Sequence, residues 1–172
     1  IIEVNEVFKK YDDATVLDNV SLEIEKGKIY GLVGRNGSGK TVLMKCICGL
    51  IKPTSGEVKV AGKTVGKDVD IPEDIGVIIE TPGFIPNYSG FKNLKLLASV
   101  RNKISNEEIR KSMEIVGLDP KSRKHVGKYS LGMRQKLGIA QAIMEKPKIL
   151  ILDEPMNGLD NESVAVVRKI LK

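Results

Sequence analysis

The chain has 172 residues, is 41% apolar and 4% aromatic, and carries a net charge of +6. Its length favours one domain with a real core, no apolar run reaches membrane-span length, and the opening IIEVNEVFKK has no signal-peptide core, so a soluble, unexported chain is expected. Its lysines and arginines form no long block, which favours solvated basic faces over a nucleic-acid stripe, although a phosphate-rich ligand or an anionic membrane surface would suit the same charge.

Ile2 to Phe8 and Leu17 to Ile24 alternate like strands, and Lys26-Gly27-Lys28 marks a turn. The short apolar run IYGLV (29 to 33) ends in Gly34 and predicts a buried strand. A glycine-rich loop comes next, then a helix to about Leu50. Cys46 and Cys48 lie two apart on that helix and match no metal spacing. They are expected to be small buried residues of a reducing compartment. Pro53 to Gly56 breaks the chain. Glu57 to Ala61 and a short piece near Thr64 then predict a hairpin, and Asp74 to Ile79 predicts another buried strand.

From Thr81 the character changes. TPGFIPNYSG is turn-rich, and the residues after it are helical, with Phe91, Leu94, Leu97 and Ala98 on one face. Ser105 and Glu108 have capping-box spacing, Ile109, Met113 and Val116 line one side, and Gly117 stops the helix. Ser130 opens a further helix with Met133, Leu137, Ala140 and Met144 in register, ended by Pro147. ILIL (149 to 152) reads as a fully buried strand running into Asp153 and Glu154, and Asn161 onward reads as helix. His125 is the only histidine and is expected at the surface, which leaves little basis for a His-based metal site or a Ser-His-Asp triad. Strand–loop–helix units with apolar strands imply an α/β protein whose parallel sheet is covered on both faces.

The segment GRNGSGKT (34 to 41) fits G-x-x-x-x-G-K-[ST] and sits between a predicted strand and a predicted helix. A chance match in a chain of this length is roughly one in a hundred or less. Gly34, Gly37 and Gly39 let the backbone N–H groups of the loop, Arg35, Asn36 and Ser38 included, curl around anionic oxygens. The helix N-terminus adds partial positive charge. Lys40 supplies a point charge for the outer phosphates, and Thr41 offers a hydroxyl to Mg²⁺. The alternative is a glycine-rich turn with no ligand.

Asp153 and Glu154 are adjacent carboxylates at the end of an apolar strand, where repulsion and poor solvation work against both being charged. A metal-bound triphosphate resolves the difficulty. If the strand 149 to 152 lies beside 29 to 33, Asp153 reaches the Mg²⁺ region next to Thr41. Glu154 points elsewhere and can activate a water for in-line attack on the γ-phosphate. The alternative is an acidic pair that merely caps a strand end.

Apolar residues followed by LDEP, then NGLD (157 to 160), with a capped helix beginning at YSLGMRQ some twenty residues upstream, resemble the nucleotide-binding domain of ATP-binding cassette (ABC) transporters. The similarity runs over essentially the whole chain. The order of phosphate loop, helical insert, signature helix, acidic strand and Asp-containing loop carries it. The resemblance implies an α/β phosphate-loop NTPase core with a mostly parallel sheet and an N-terminal antiparallel β layer. Residues 1–80 and 130–172 would form the core and 81–129 a helical subdomain.

By the same resemblance Tyr11 stacks on adenine, or else packs on the β layer. Glu80 stands where the family usually has Gln, touching Mg²⁺ or the attacking water. The signature, usually L-S-G-G-Q, here reads Tyr129-Ser130-Leu131-Gly132-Met133, so Ser130 and Gly132 match and would close on ATP held by a second, head-to-tail cassette, with a homodimer the expected pairing. Asp160 would lie at that contact, or act as a helix N-terminal acid. The family carries a His some thirty residues past the Glu, beyond Lys172, which implies an incomplete domain.

The implied activity is Mg-dependent ATP hydrolysis coupled to an integral membrane permease, at the cytoplasmic face of the membrane. Nucleic acid is not expected as a partner. Glu80 with Thr81-Pro82-Gly83-Phe84 is similar to bacterial exporters of bacitracin and lantibiotic-type peptides. Three other readings stay open: a non-transport ABC ATPase of DNA repair or translation, a nucleotide-binding fragment without turnover, and a phosphate-loop kinase.

Overall fold

The alternation of the first 24 residues becomes a long hairpin. β1 (Ile2–Tyr11) and β2 (Ala14–Ile24) pair antiparallel, with Tyr11 opposite Ala14 across a two-residue turn. Asp12 takes φ 47° in that turn, the sign such tight connections need. β3 (Ser55–Val60) pairs with the other edge of β1, and β4 (Lys63–Thr64) with β3, giving the order β2-β1-β3-β4. One face of this sheet buries Ile2, Val4, Val7, Leu17, Val58 and Val60.

Helix α1 (Lys40–Ile47) packs on β2 and β3 and contributes Leu43, Cys46 and Ile47. Cys46 and Cys48 are free and buried, and loss of solvation raises the Cys46 thiol and pushes that of Cys48 up to about 12. Both are therefore protonated, unreactive packing groups at neutral pH.

The computed structural model describes residues 1–171 and falls into two units, one ending at Glu73 and one beginning at Asp74. The segment 29–33 corrects an expectation. It belongs to no ladder among the described residues, and Ile29 and Val33 are 70% and 98% exposed. An apolar run specifies what a parallel strand is made of, but only hydrogen-bonded neighbours make it one.

In the second unit β5 (Ile75–Ile78) and β6 (Ile149–Leu152) pair in parallel, Ile75 opposite Ile149 through Ile78 opposite Leu152. The ladder continues one step further, where the Asp153 N–H donates to the Ile78 carbonyl at 2.7 Å. Ile149 and Ile151 are buried while Leu150 and Leu152 are half-buried, so the strand covers one face more than the other. Helices α2 (Gly90–Arg101), α3 (Asn106–Ile115), α4 (Leu131–Ile143) and α5 (Asn161–Ile170) complete the unit. Leu94, Ile109, Met113, Val116, Leu137, Ile139 and Val167 form its core. Leu97, predicted on the inner face of α2 with Leu94 and Ala98, is exposed. Its angular position falls at the rim of the stripe, where sequence spacing does not distinguish inside from outside.

Helix α3 opens with a full capping box: Ser105 accepts from the Glu108 N–H, and the Glu108 carboxylate accepts from the Ser105 N–H at 3.0 Å. Lys146 also reaches that carboxylate, at 2.9 Å. The Ser105 backbone bond first, then Lys146, lower the Glu108 carboxyl from its ordinary 4.5 to about 2. A carboxyl depressed in the folded state stabilises the fold above its unfolded value and loses that contribution as pH falls through the folded one. The melting-temperature advantage of the native chain over Glu108→Ala is therefore expected to be full above pH 4.5 and to shrink as pH falls toward 2. Melting curves of both proteins across that window check this, and a difference that does not change with pH would contradict it.

Candidate nucleotide site

The residues singled out above fall in both units. In the first, Ser38 N–H closes a turn onto the Arg35 carbonyl at 3.1 Å, and Gly37 and Gly39 take φ 80° and 89°. Gly39 is the N-cap of α1 and, having no side chain, makes no cap bond of its own. A Cβ at Gly39 would come within 2.6 Å of the Val16 carbonyl oxygen, so this position rejects a side chain on both sterics and φ. The Lys40 ammonium folds back over the loop, donating to the Gly34 carbonyl at 2.7 Å and the Arg35 carbonyl at 2.9 Å. It also sits 3.5 Å from the Ser38 hydroxyl.

Residues 34–38 are exposed, and Thr41 is half-buried in the first turn of α1. An exposed loop, a helix start capped only by a glycine backbone and an ammonium held over the loop carbonyls suit a multiply charged anion. Tyr11 ends β1 with 43% of its surface exposed, and the Lys9 ammonium lies 4.9 Å from its ring centre. The ring is thus open on the surface of its unit rather than closed into the sheet.

In the second unit, Glu80 and the pair Asp153-Glu154 each come after the C-terminal end of a strand, β5 and β6, in the one parallel pair among the described residues. Both glutamates are exposed and hold left-handed backbones, with φ 63° at Glu80 and 46° at Glu154. Asp153 is half-buried. The Glu154 carbonyl accepts from Asn157 N–H at 3.0 Å and from the Gln135 side-chain amide at 3.3 Å, so buried Gln135 of α4 anchors the acidic turn. Sequence reasoning misses Gln135, because it lies outside the five signature positions and its partner is nineteen residues away.

Ser130 is the N-cap of α4 and accepts from Met133 N–H at 3.1 Å, which leaves its hydroxyl proton available to donate elsewhere. Gly132 lies so close to the 157–160 loop that a Cβ there would come within 2.9 Å of the Gly158 carbonyl oxygen. Leu131 is exposed, with its side chain against Gly158. Asp160 caps α5, accepting from Ser163 N–H at 2.8 Å, and hydrogen bonds with Ser163 lower its carboxyl below the usual range. His125 is exposed on the segment before α4.

A family model described as ABC transporter matches residues 17–157. The ABC transporter ATP-binding protein YybJ of Bacillus subtilis, itself uncharacterized, is 48% identical over 99% of this chain and 78% of its own length. The bacitracin transport ATP-binding protein BcrA of Enterococcus faecalis is 45% identical over 99% of this chain, which spans 56% of that relative. Among solved structures, a dimeric post-hydrolysis state of the ATP-binding cassette MJ0796 bound to ADP and Pi superposes with a TM-score of 0.88. The match covers 99% of this chain and 81% of that one at 23% identity, a likeness of fold.

Proposed function

The chain belongs to the ABC transporter family of ATP-binding proteins, and from that premise we propose that it binds and hydrolyses ATP to drive a membrane permease. The observation that carries the proposal is the phosphate loop with Lys40 held above its carbonyls at the glycine-capped start of α1. Gly34, Arg35, Asn36, Gly37, Ser38 and Gly39 would offer their N–H groups to the phosphates, and Lys40 would exchange loop carbonyls for phosphate oxygens. Tyr11 would stack on the base. Thr41 of the first unit, and Glu80 and Asp153 of the second, each carry a hard oxygen donor of the kind Mg²⁺ accepts and would be its ligands. When bound, Mg²⁺ would neutralise charge on the phosphates. Glu154 would take the proton of the attacking water.

Ser130 and Gly132 would meet the nucleotide held by a second copy in a head-to-tail pair, and the MJ0796 cassette, similar in fold, is itself dimeric. Residues 1–80 with 130–172 would serve as the ATP-binding core and 81–129 as the helical subdomain. No helix among the described residues is long and apolar enough to cross a membrane. A cytoplasmic position on the inner face of the membrane would come through the permease partner, and a peptide antibiotic such as bacitracin is the cargo class that the relatives suggest.

The test is phosphate release from Mg-ATP, with ATP binding measured in parallel and the permease sought by crosslinking in membranes. Nucleotide-dependent turnover and a membrane crosslink are expected. Binding without turnover would reduce the chain to a nucleotide-binding module, and a soluble nucleic-acid-associated partner in place of a permease would overturn the transport assignment.

A further inference from the structure

The charge of this chain is unevenly placed. Residues 81–129 hold ten lysines and arginines against four acids, while the rest of the chain holds eighteen of each. The whole net charge of +6 therefore lies between 81 and 129. Within that segment the signs separate again, for no acid occurs from 81 to 106 or from 120 to 144. The four acids are Glu107, Glu108 and Glu114 on α3 and Asp119 soon after it. Lys146 holds Glu108, Arg110 faces Glu107 at 3.7 Å, and the Asp119 carboxylate accepts from Lys121 N–H at 2.9 Å.

The fold brings the two acid-free basic segments together. Asn93, buried on α2, accepts from Ile85 N–H at 2.7 Å and donates to the Ile85 and Ser89 carbonyls, both at 3.1 Å, which pins the loop 85–89 to that helix. The segment 125–127 lies along the same loop. Ser89 bridges His125, and Val126 N–H and Gly127 N–H donate to the Tyr88 and Pro86 carbonyls, each at 2.9 Å. Lys121, Arg123, Lys124 and Lys128 flank this pairing and are exposed. From α2, the Lys92 ammonium stands 3.9 Å from the Tyr88 ring centre. Lys92, Lys95, Leu96 and Ser99 follow at the three- and four-residue spacing of one helix stripe, and all four are exposed. Val100 stands beside them 82% exposed.

We propose that this face binds an anionic phospholipid surface directly: Lys92, Lys95, Arg123 and Lys124 meet the head groups, and Leu96 and Val100 enter between them. A helix whose outer stripe mixes lysines with protruding apolar side chains suits an interface that is negative at its surface and apolar just beneath. Nucleic acid fits the face less well, because Phe84, Tyr88 and Phe91 are half-buried and Tyr129 is buried, which leaves no stacking platform. An acidic peptide would satisfy the cations and leave Val100 in water. The lipid contact gives the chain a hold on the membrane separate from any permease.

The experiment is co-sedimentation of the full chain, without a permease, with vesicles of phosphatidylcholine alone or with about one third phosphatidylglycerol. Binding to the anionic vesicles only is expected, and it should weaken as salt rises from about 0.1 M to about 0.5 M. Each lysine or arginine at such a surface strengthens binding about fivefold, so Lys92→Gln, Lys95→Gln, Arg123→Gln and Lys124→Gln combined should weaken it about a hundredfold or more. Lys26→Gln, Lys28→Gln, Lys63→Gln and Lys67→Gln combined remove the same charge from the first unit and should change binding less than about twofold. Leu96→Ser with Val100→Ser should lower the binding that survives high salt. All of these side chains are exposed, so native melting and native ATP affinity are expected throughout. Equal weakening by the two quadruple variants would mean that net charge alone draws the chain to vesicles, and would overturn the inference. Failure to bind anionic vesicles would overturn it too, and capture by polyglutamate through the same four cations would then reassign the face to an acidic protein segment. None of these results bears on the ATPase proposal, which phosphate release tests separately.

Discussion

Glu154→Gln is expected to lower Mg-ATP turnover by roughly 10²- to 10⁴-fold while leaving ATP binding unchanged. The change removes a proton acceptor and little else. The acidic turn is built by its backbone, with the Glu154 carbonyl accepting from Asn157 N–H and from the Gln135 amide. The side chain is exposed, so an isosteric amide creates neither a cavity nor a buried unpaired group. Phosphate release and equilibrium binding, measured on the same preparations, separate the two effects. Turnover within about threefold of the native chain would mean that another group activates the water. A joint loss of binding would mean that Glu154 holds the nucleotide or its metal instead.

Lys40→Ala is expected to act on the opposite quantity. The native ammonium sits directly over the loop, 2.7 Å and 2.9 Å from two of its carbonyl oxygens. Removing it takes a point charge from the phosphates, a loss of about 3 kcal/mol or roughly a hundredfold in Kd. Lys40→Arg is expected to recover only part of this, because a planar fork does not replace a compact ammonium in a tight loop. Calorimetric titration with ATP reads the result. Affinity unchanged in Lys40→Ala would place the triphosphate somewhere other than this loop.

Local chemistry is legible in the sequence wherever it is written in neighbouring residues. The phosphate loop, the Ser105–Glu108 capping box, the Gly117 stop and the Asp153-Glu154 step after an apolar run each declare themselves within about eight positions; the structure places the last three at the element boundaries expected, and the loop before its expected helix but not after a strand. The features that escape a reading of the sequence depend on partners far along the chain. Residues 29–33 have the composition of a buried strand but no ladder, because composition does not supply neighbours. Asn93 looks like a polar residue on an amphipathic helix until its side chain is seen bonding Ile85, eight residues back. Tyr129 looks like a departure from a familiar signature, and only the fold shows it buried, with its hydroxyl packed beside Gly90 in a different segment. The left-handed backbones of Glu80 and Glu154 are equally hidden, since in a sequence that conformation is announced chiefly by glycine.

Those two glutamates bear on how this protein can change over generations. A left-handed backbone on a residue with a side chain costs on the order of 1–3 kcal/mol, and glycine would recover much of it at either position. Random variation selected for heat resistance alone should therefore drift toward glycine at 80 and 154, erasing a carboxylate each time. Libraries screened for thermal survival and libraries screened for work done per ATP should part company at these two codons before they diverge anywhere in the core.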